Sequence, residues 1–202
     1  MKRYLTILLV AITLTAAAQE PRQMLDKAIS ALKSAGTISA NYAVKGSQGN
    51  ASGTIVFGAN RYRLLSSDVK CWYDGKTMWT YSPATDEVNI TTPDAADLQM
   101  SNPYSAANNF KANYNMWKAK GQIAGSYAIM LRPKKKGGEV SQVYLYLAND
   151  SHLPQKIHVK LTDGSAYTIS LTGFKTNLNL PVSTFQFDQS LVPAGTQVVD
   201  LR

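Results

Sequence analysis

The stretch Val69–Pro83, VKCWYDGKTMWTYSP, constrains the fold most, because it predicts two short strands joined by a tight turn. Asp74 and Gly75 form the predicted two-residue turn, since both residue types tolerate the positive φ angles that such a turn requires. In the resulting register Trp72 faces Thr77 across the hairpin. The pair of strands therefore belongs to an antiparallel sheet.

Alternation along these strands predicts two faces, and both are apolar. A strand pair in an ordinary antiparallel sheet has one face in water, so two apolar faces indicate that both are covered. The protein core would cover one face, and the nature of the second cover is the functional question. The first face carries Trp72, Trp79 and Tyr81, and the second carries Val69, Cys71, Tyr73 and Met78.

The first 18 residues have the pattern of a secretory signal peptide. Lys2 and Arg3 form a basic start, Leu5–Leu14 is apolar, and Ala16–Ala18 supplies an A-x-A cleavage site. The apolar run is shorter than the roughly 20 residues that span a bilayer. We therefore expect residues 1–18 to be removed and residues 19–202 to form one exported domain.

The charge balance narrows the choice of partners. Cleavage would leave 19 basic residues against 13 acidic ones, a formal charge of +6. Such a surface favours nucleic acid, an anionic membrane or an acidic protein, and export argues against nucleic acid. The basic run Lys134–Lys136 fits a solvated hairpin tip, with contact to headgroups or an acidic partner as the alternative. Cys71 is the only cysteine, which predicts a buried thiol and no internal disulfide.

The rest of the chain predicts a leading helix and about eleven strands. Pro21–Ala35 has apolar residues at helical spacing and Gly36 as a stop. Pro93–Tyr114 breaks the strand pattern and predicts a long connection with short helical turns, which is typical of a lid or binding loop. Short links between the strands favour an antiparallel meander, and a twisted sheet of this size curls. The predicted strands are Ile38–Lys45, Ser52–Phe57, Arg61–Leu65, Val69–Tyr73, Lys76–Tyr81, Glu87–Thr91, Met116–Ile123, Tyr127–Arg132, Val140–Ala148, Pro154–Leu161 and Ala166–Phe174.

Enzyme motifs are missing from the sequence. His152 and His158 are the only histidines, and neither belongs to a metal-binding pattern. Asp150, Ser151 and His152 are the residue types of a hydrolase triad, but neighbours in one turn cannot adopt the geometry of nucleophile, base and orienting group. We therefore expect no catalysis, no metal and no cofactor. An exported hydrolase that uses these three residues is the weakest alternative.

Three segments in the first half resemble a known family. They are GTIVF at Gly53–Phe57, NRYR at Asn60–Arg63 and DGKTMWTYSP at Asp74–Pro83. Together they resemble the periplasmic outer-membrane lipoprotein carriers of LolA type, and the last segment is the most specific. Leu131–Lys134 and Leu153–Ile157 follow the order of the second half of that family, so the resemblance covers nearly all of residues 19–202.

The resemblance implies a fold and a function. The fold would be mainly β, an unclosed antiparallel half-barrel of about eleven strands, with an N-terminal helix and short lid helices over the concave face. The function would be transport without catalysis by a monomer in the periplasm. Acylated lipoproteins would arrive from an inner-membrane lipoprotein release complex and leave to an outer-membrane lipoprotein receptor or the outer membrane. The alternative is a non-catalytic envelope sensor or scaffold on the same fold, with its cavity filled by its own side chains.

The resemblance also selects candidate site residues. The family has Arg-Pro before the Asn-x-aromatic segment, and its arginine bonds to the lid, but here Gly58 and Ala59 stand in those positions. Arg61 and Arg63 are therefore the candidates for contact with the lid. The predicted lid residues are Leu98, Met100 and Phe110, and the predicted lipid-binding wall consists of Ile55, Phe57, Tyr62, Leu64, Trp79 and Tyr81.

Overall fold

The computed structural model describes residues 19–47, 49–58, 60–94, 97–98, 103–120 and 123–202. The predicted signal peptide, residues 1–18, and the predicted lid residue Met100 lie outside the described residues. Within the described ranges, no helix is long and apolar enough to cross a membrane.

Helix α1 comprises residues 19–34 and confirms the predicted leading helix. Gly36 has a φ angle of +61°, a left-handed conformation that glycine adopts at low cost, and the helix ends just before it. Leu25, Ala28 and Leu32 are buried, and their spacing of three and four residues puts them on one face. That face packs against the sheet.

Twelve strands follow, and they form a single continuous sheet. The prediction of a mainly β, unclosed half-barrel is confirmed, with twelve strands in place of about eleven. The strands are β1 (Ile38–Gly46), β2 (Gly49–Phe57), β3 (Tyr62–Ser66), β4 (Lys70–Tyr73), β5 (Met78–Ser82), β6 (Glu87–Thr91), β7 (Tyr114–Lys118), β8 (Ser126–Pro133), β9 (Val140–Ala148), β10 (Pro154–Leu161), β11 (Ala166–Lys175) and β12 (Gln197–Asp200).

The order of the strands across the sheet is β12-β6-β5-β4-β3-β2-β1-β11-β10-β9-β8-β7. Strand β12 runs parallel to β6, and each of the other neighbouring pairs is antiparallel, as the short links predict. The terminal strands β12 and β7 do not pair with each other in the described part of the chain. The sheet is therefore open, with one concave and one convex face.

The register of the hairpin at β4 and β5 differs from the prediction. Trp72 faces Trp79 rather than Thr77. The loop has four residues because a carboxylate oxygen of Asp74 accepts hydrogen bonds from the N–H groups of Lys76 and Thr77, each at 2.9 Å, which closes a longer turn than Asp-Gly alone. A shift of two positions leaves every residue on its predicted face.

The predicted long connection contains helix α2 (Pro103–Asn113). Its last turn is capped by Lys134, whose N–H donates to the carbonyl of Asn113 at 2.9 Å and whose ammonium donates to that of Ala112 at 2.5 Å. Strand β7 begins directly afterwards at Tyr114, so the predicted strand Met116–Ile123 was placed too late.

The segment after β11 covers the convex face at β4, β5 and β6. It forms two short 3-10 turns, Val182–Phe185 and Gln189–Leu191, and then becomes β12. The ring of Phe187 contacts Trp72 edge to face, with centroids 5.6 Å apart. This cover, which we call the C-terminal strap (residues 182–200), answers the question raised by the two apolar faces of the hairpin. The patch beneath the strap consists of Leu65, Trp72, Trp79, Tyr81 and Val88, with Phe187 and Val192 from the strap itself.

Candidate functional site

The concave face and the two helices border a partly open cavity of about 220 Å³. Side chains from the sheet, from α1 and from α2 line it. Strands from both halves of the sheet contribute, so the cavity occupies the centre of the curved sheet. Its lining residues are Leu25, Ala28, Leu32, Tyr42, Val44, Ile55, Leu64, Pro103, Ala106, Ala107, Phe110, Leu145, Leu147, Pro154, Ile157, Ile169 and Leu171.

The chemistry of this lining is uniform. Among the described residues that surround the cavity, Tyr42 alone has a polar side-chain atom, and none carries a charge. Such a wall stabilises an apolar ligand by removing it from water, but it offers almost no group that could orient a polar substrate. The arrangement suits the binding of hydrocarbon.

Four of the predicted wall residues lie on the concave face. Ile55 and Leu64 face each other across β2 and β3, and both line the cavity. Phe57 and Tyr62 form the next facing pair, but each is only 1% exposed and packs into the concave core beside the cavity. These two residues support the floor, whereas Ile55 and Leu64 border the empty space.

Trp79 and Tyr81 lie on the opposite face. Trp79 faces Trp72 and Tyr81 faces Lys70 across the hairpin, and both belong to the patch beneath the C-terminal strap. Ile55, Leu64 and Cys71 share one face through their cross-strand pairs, which is the face that Trp79 and Tyr81 do not share. Neither aromatic residue borders the cavity.

Helix α2 lies in the segment predicted as a lid and borders the cavity. Phe110 lines the cavity, and its ring contacts Tyr114 edge to face at 5.1 Å between centroids. Leu98 packs against the concave core. The third predicted lid residue, Met100, is outside the described residues. Tyr104 and Ala107 are the buried residues of α2, and together with Phe110 they recur every three positions.

Polar side chains of Tyr104 and Lys111 connect α2 to α1. The hydroxyl of Tyr104 donates to the carbonyl of Leu32 at 2.7 Å and lies 3.2 Å from that of Gly36. Carbonyls in the last turn of a helix have no intrahelical donor, so this hydroxyl caps α1. At the other end of α2, Lys111 forms an exposed ion pair with Asp26 at 2.6 Å. Burial raises the pKa of Tyr104, which keeps the hydroxyl protonated as a donor.

The two arginines predicted to contact the lid lie elsewhere. The guanidinium of Arg61 stacks over the ring of Phe185 in the C-terminal strap, 5.1 Å from its centroid. Arg63 faces Val56 and Trp72 across its neighbouring strands, on the convex face. Among the described residues, the hydroxyl of Tyr104 on α2 itself contacts the end of α1.

Sequence reasoning missed the part of the wall that comes from α1, β1 and β9–β11. The alternation of Ile157, Val159 and Leu161 identified the apolar face of β10, but Ile157 borders the cavity whereas Val159 is buried in the core. Strand alternation reveals which face is apolar and cannot show where that face is left unfilled. The apolar face of α1 was the available signal, because Leu25 and Leu32 both line the cavity.

Two groups of polar residues singled out in the sequence have structural surroundings. Burial raises the pKa of the Cys71 thiol, and its hydrogen bonds with Tyr62 and Thr80 act in the opposite direction, so the thiol stays protonated and unreactive. Asp150 accepts from the N–H of Ser151 at 2.6 Å within a turn, as expected for a structural motif. Among the described residues no cluster of three or more potential metal ligands occurs.

Fold and site together define an open β half-barrel with an apolar, helix-covered cavity. Residues 11–165 match the family described as outer membrane lipoprotein carrier protein LolA. The chain belongs to this family. Among curated proteins, no sequence matches it.

Solved structures share the fold. An uncharacterized conserved protein from Thermus thermophilus superposes with a TM-score of 0.61 at 14% identity, over 88% of this chain and 97% of that one. A DUF1329 family protein from Desulfovibrio piger gives 0.51 at 12% identity, over 88% and 99%. MucB in the Pseudomonas aeruginosa MucA/MucB complex gives 0.51 at 12% identity, over 84% and 61%. At these identities the similarity shows the fold alone.

Proposed function

We propose that the protein is a periplasmic carrier that shields the acyl chains of lipoproteins. It accepts them from a release complex in the inner membrane and delivers them to a receptor in the outer membrane or to that membrane itself. No bond is made or broken in this cycle. Membership of the lipoprotein carrier family and the predicted signal peptide support the proposal.

The observation that carries the proposal is the apolar cavity beneath α1 and α2. Each methylene group of an acyl chain that leaves water contributes about 0.8 kcal/mol. A wall of leucine, isoleucine, alanine and phenylalanine side chains stabilises a bound acyl chain in this way without contacting any particular headgroup. Such a site accepts the acyl chains of many different lipoproteins.

The size of the cavity indicates that the lid moves. An apolar cavity of about 150 Å³ holds one benzene molecule, and this cavity is about 220 Å³. The closed form therefore has room for only a short piece of hydrocarbon. Longer chains require α2 to move away from the sheet. Among the described residues, the polar contacts between α2 and α1 include the hydrogen bonds of the Tyr104 hydroxyl and the exposed ion pair of Lys111 with Asp26.

Lid closure also provides for release. The side chains of Ala107 and Phe110 cover the cavity when α2 is closed, so the lid competes with the acyl chains for the same apolar wall. A ligand shifts the equilibrium between two states only by its difference in affinity for them. Affinity for cargo is therefore moderate, and a stronger apolar site on the receptor can remove the cargo.

A displacement experiment with a diacylated lipopeptide tests the proposal. A fluorescent fatty-acid analogue is bound first, and the lipopeptide then competes with it. Ala106 lines the cavity, and Ala106→Leu adds three carbon atoms to its roof. We expect this variant to bind the lipopeptide about tenfold more weakly, because even one or two lost methylene contacts cost about 1.4 kcal/mol.

Ala112→Leu is the matched control. Ala112 is exposed on the same helix, so the same substitution there leaves the cavity unchanged and should leave the affinity unchanged. Equal binding by the two variants, or a wild-type protein that does not bind the lipopeptide, would contradict the proposal. Mass spectrometry of lipids extracted from the protein, purified from the envelope of cells that make it, gives an independent readout.

A second candidate function is that of an envelope sensor or scaffold without lipid cargo. The similarity to MucB, solved in a complex with MucA, favours it. Here the protein's own side chains would fill the cavity, and the protein would bind a peptide or protein partner on another surface. Recovery of a stoichiometric protein partner without bound lipid, together with unaltered partner binding in Ala106→Leu, would support this function over the carrier.

A further inference from the structure

The convex face has a second aromatic surface, on β7–β10, far from the patch beneath the C-terminal strap in the order of strands. Four of its side chains form one row across the sheet, because Trp117 faces Met130, Met130 faces Tyr144, and Tyr144 faces His158. We call these four residues the convex row. The row has large, amphipathic or polarisable side chains and crosses four neighbouring strands.

Basic residues flank the convex row on both sides. Along β10, Lys156 and Lys160 stand two positions before and after His158, so they point to the same face. Arg132 has the same relation to Met130 in β8, on the side of Lys160. Lys120 follows β7 on the side of Lys156, and together with Lys160 it lines a groove of about 410 Å³ above Tyr144.

Acidic residues are missing from this part of the sheet. The sequences of β7, β8, β9, β10 and β11 contain no Asp and no Glu. The ammonium of Lys160 lies over the ring of Tyr144, 5.7 Å from its centroid. Among the described residues none of the four cations forms an ion pair, and Glu139, Asp150 and Asp163 stand only in the turns that border these strands. The middle of this surface is therefore positive.

The two aromatic surfaces of the convex face differ in their cover. Residues of the C-terminal strap pack on Trp72 and Tyr81, whereas Trp117 is 45% exposed and belongs to none of the hydrophobic clusters of the described residues. An exposed tryptophan on the same sheet face as exposed basic residues is typical of a surface that binds a lipid headgroup layer, in which the indole lies among the glycerol groups and the ammonium groups contact the phosphates.

We propose that the convex row and its flanking cations dock the protein onto a bilayer that contains anionic phospholipids. This surface is separate from the cavity, so the proposal does not depend on the identity of the cargo. The positive charge of the surface favours anionic lipids. The row of Trp117, Met130 and Tyr144 lies between two lines of basic residues, so the row can contact the glycerol region while the basic residues contact the phosphates. An acidic protein would match the charge but leaves the exposed indole without an apolar partner.

Flotation of the protein with lipid vesicles tests this. Vesicles of phosphatidylcholine are compared with vesicles in which about a third of the lipid is phosphatidylglycerol. We expect binding only to the anionic vesicles and a strong decrease at high salt. The double variant Lys120→Gln/Lys160→Gln should lower the partition coefficient about 30-fold, because each basic residue near an anionic surface contributes about fivefold.

The matched control is Lys27→Gln/Lys33→Gln, which changes the net charge equally. Both residues are exposed on α1, outside the docking surface. We expect a change of less than about threefold, since only the long-range field is altered. An equal loss in the two double variants would overturn the proposal, because net charge and not this surface would then explain the binding. Absence of binding to anionic vesicles would also overturn it, as would capture of an acidic protein in its place.

Two further measurements separate docking from extraction of lipid into the cavity. Ala106→Leu, which fills the cavity, should float with anionic vesicles as the wild type does, and a loss of flotation in that variant would overturn the docking proposal. Lipids brominated in the acyl chain should quench the fluorescence of Trp117, and Trp117→Phe should remove the quenched component. Unchanged quenching in Trp117→Phe would place another tryptophan at the bilayer and contradict the proposed orientation.

Discussion

The patch beneath the C-terminal strap and the wall of the cavity are two apolar surfaces on opposite faces of the same sheet. The chain's own Phe187 and Val192 pack against the patch, and Val88 within it is fully buried. The cavity wall is covered by α2, which leaves about 220 Å³ unfilled. Both surfaces come from strands with aromatic and aliphatic side chains. The difference lies in the cover: the strap packs directly on the patch, whereas α2 leaves a cavity above the wall.

This difference shows that an apolar strand face does not by itself mark a binding site. Trp79 and Tyr81 have the composition of a lipid-binding wall, yet they lie beneath the strap and serve the stability of the protein. Ile55 and Leu64 border the unfilled space. Substitutions on the two surfaces should therefore separate stability from ligand binding.

The largest effect is expected from Trp72→Ala. Trp72 is 2% exposed and packs against Phe187, so the truncation should lower the free energy of unfolding by about 3–5 kcal/mol. Lipopeptide affinity of the folded fraction should not change. Chemical denaturation and the displacement assay measure the two quantities. If Trp72→Ala does not fold, Phe187→Ala, which removes the other ring of the pair, replaces it. A large loss of affinity in a folded variant would contradict the separation of the two surfaces.

One added methylene group should lower the free energy of unfolding beneath the strap, and at the cavity it should leave that free energy unchanged or raise it. Val88 is buried beneath the strap, and Val88→Ile should cost about 1–2 kcal/mol because a well-packed site has no room. Val44 lines the cavity, and Val44→Ile should be neutral or stabilise by up to about 1 kcal/mol through partial filling. Thermal or denaturant unfolding measures both. Similar losses in both variants would show that the cavity is not available space.

Release of the lid should have a smaller effect. Tyr104→Phe removes the hydroxyl that donates to Leu32 and should destabilise the closed position of α2 by about 1 kcal/mol. Since the closed lid competes with cargo, lipopeptide affinity should rise up to about fivefold. Lys111→Ala breaks only an exposed ion pair and should change affinity less. A decrease of affinity in Tyr104→Phe would show that the lid supports cargo binding.

Alkaline pH should loosen the concave side at α1. Burial, followed by the negative charge of Glu20, raises the pKa of Tyr127 to about 12. An unfolded tyrosine ionises near about 10, so the folded state is favoured below that pH and loses this advantage as pH rises to about 12. The tyrosinate absorbance of wild type and Tyr127→Phe should differ by one late-titrating group. Ionisation of Tyr127 near its ordinary pKa would contradict the buried position.

The sequence predicted the fold well because its signals were local. Alternation in β4 and β5 placed Trp72 and Cys71 on their correct faces, and the apolar spacing of α1 with Gly36 after it gave that helix. The turn at Asp74 was predicted two residues too short. The residue types of the turn do not show that the Asp74 carboxylate accepts hydrogen bonds from two N–H groups. A register error of two positions left the faces intact.

The site was harder to predict because a cavity is a property of packing. Helix α2 contains three asparagines among its eleven residues, and its only regular signal is Tyr104, Ala107 and Phe110 at a spacing of three. Asparagine is a weak helix former, so contacts with α1 and the sheet must select the helix. The contact between Tyr104 and the end of α1 joins residues 72 positions apart in sequence. Local sequence patterns cannot predict a contact over such a separation.

The position of the C-terminal strap in the chain has a consequence for biosynthesis. Each strand of the patch that it covers precedes it in sequence, so a ribosome delivers the aromatic patch and the edge of β6 before their cover. During that interval the nascent protein exposes Trp72, Trp79 and an unpaired strand edge, which are features that promote association with other chains. Maturation in the cell therefore requires that this surface be kept apart from its neighbours until the final segment arrives.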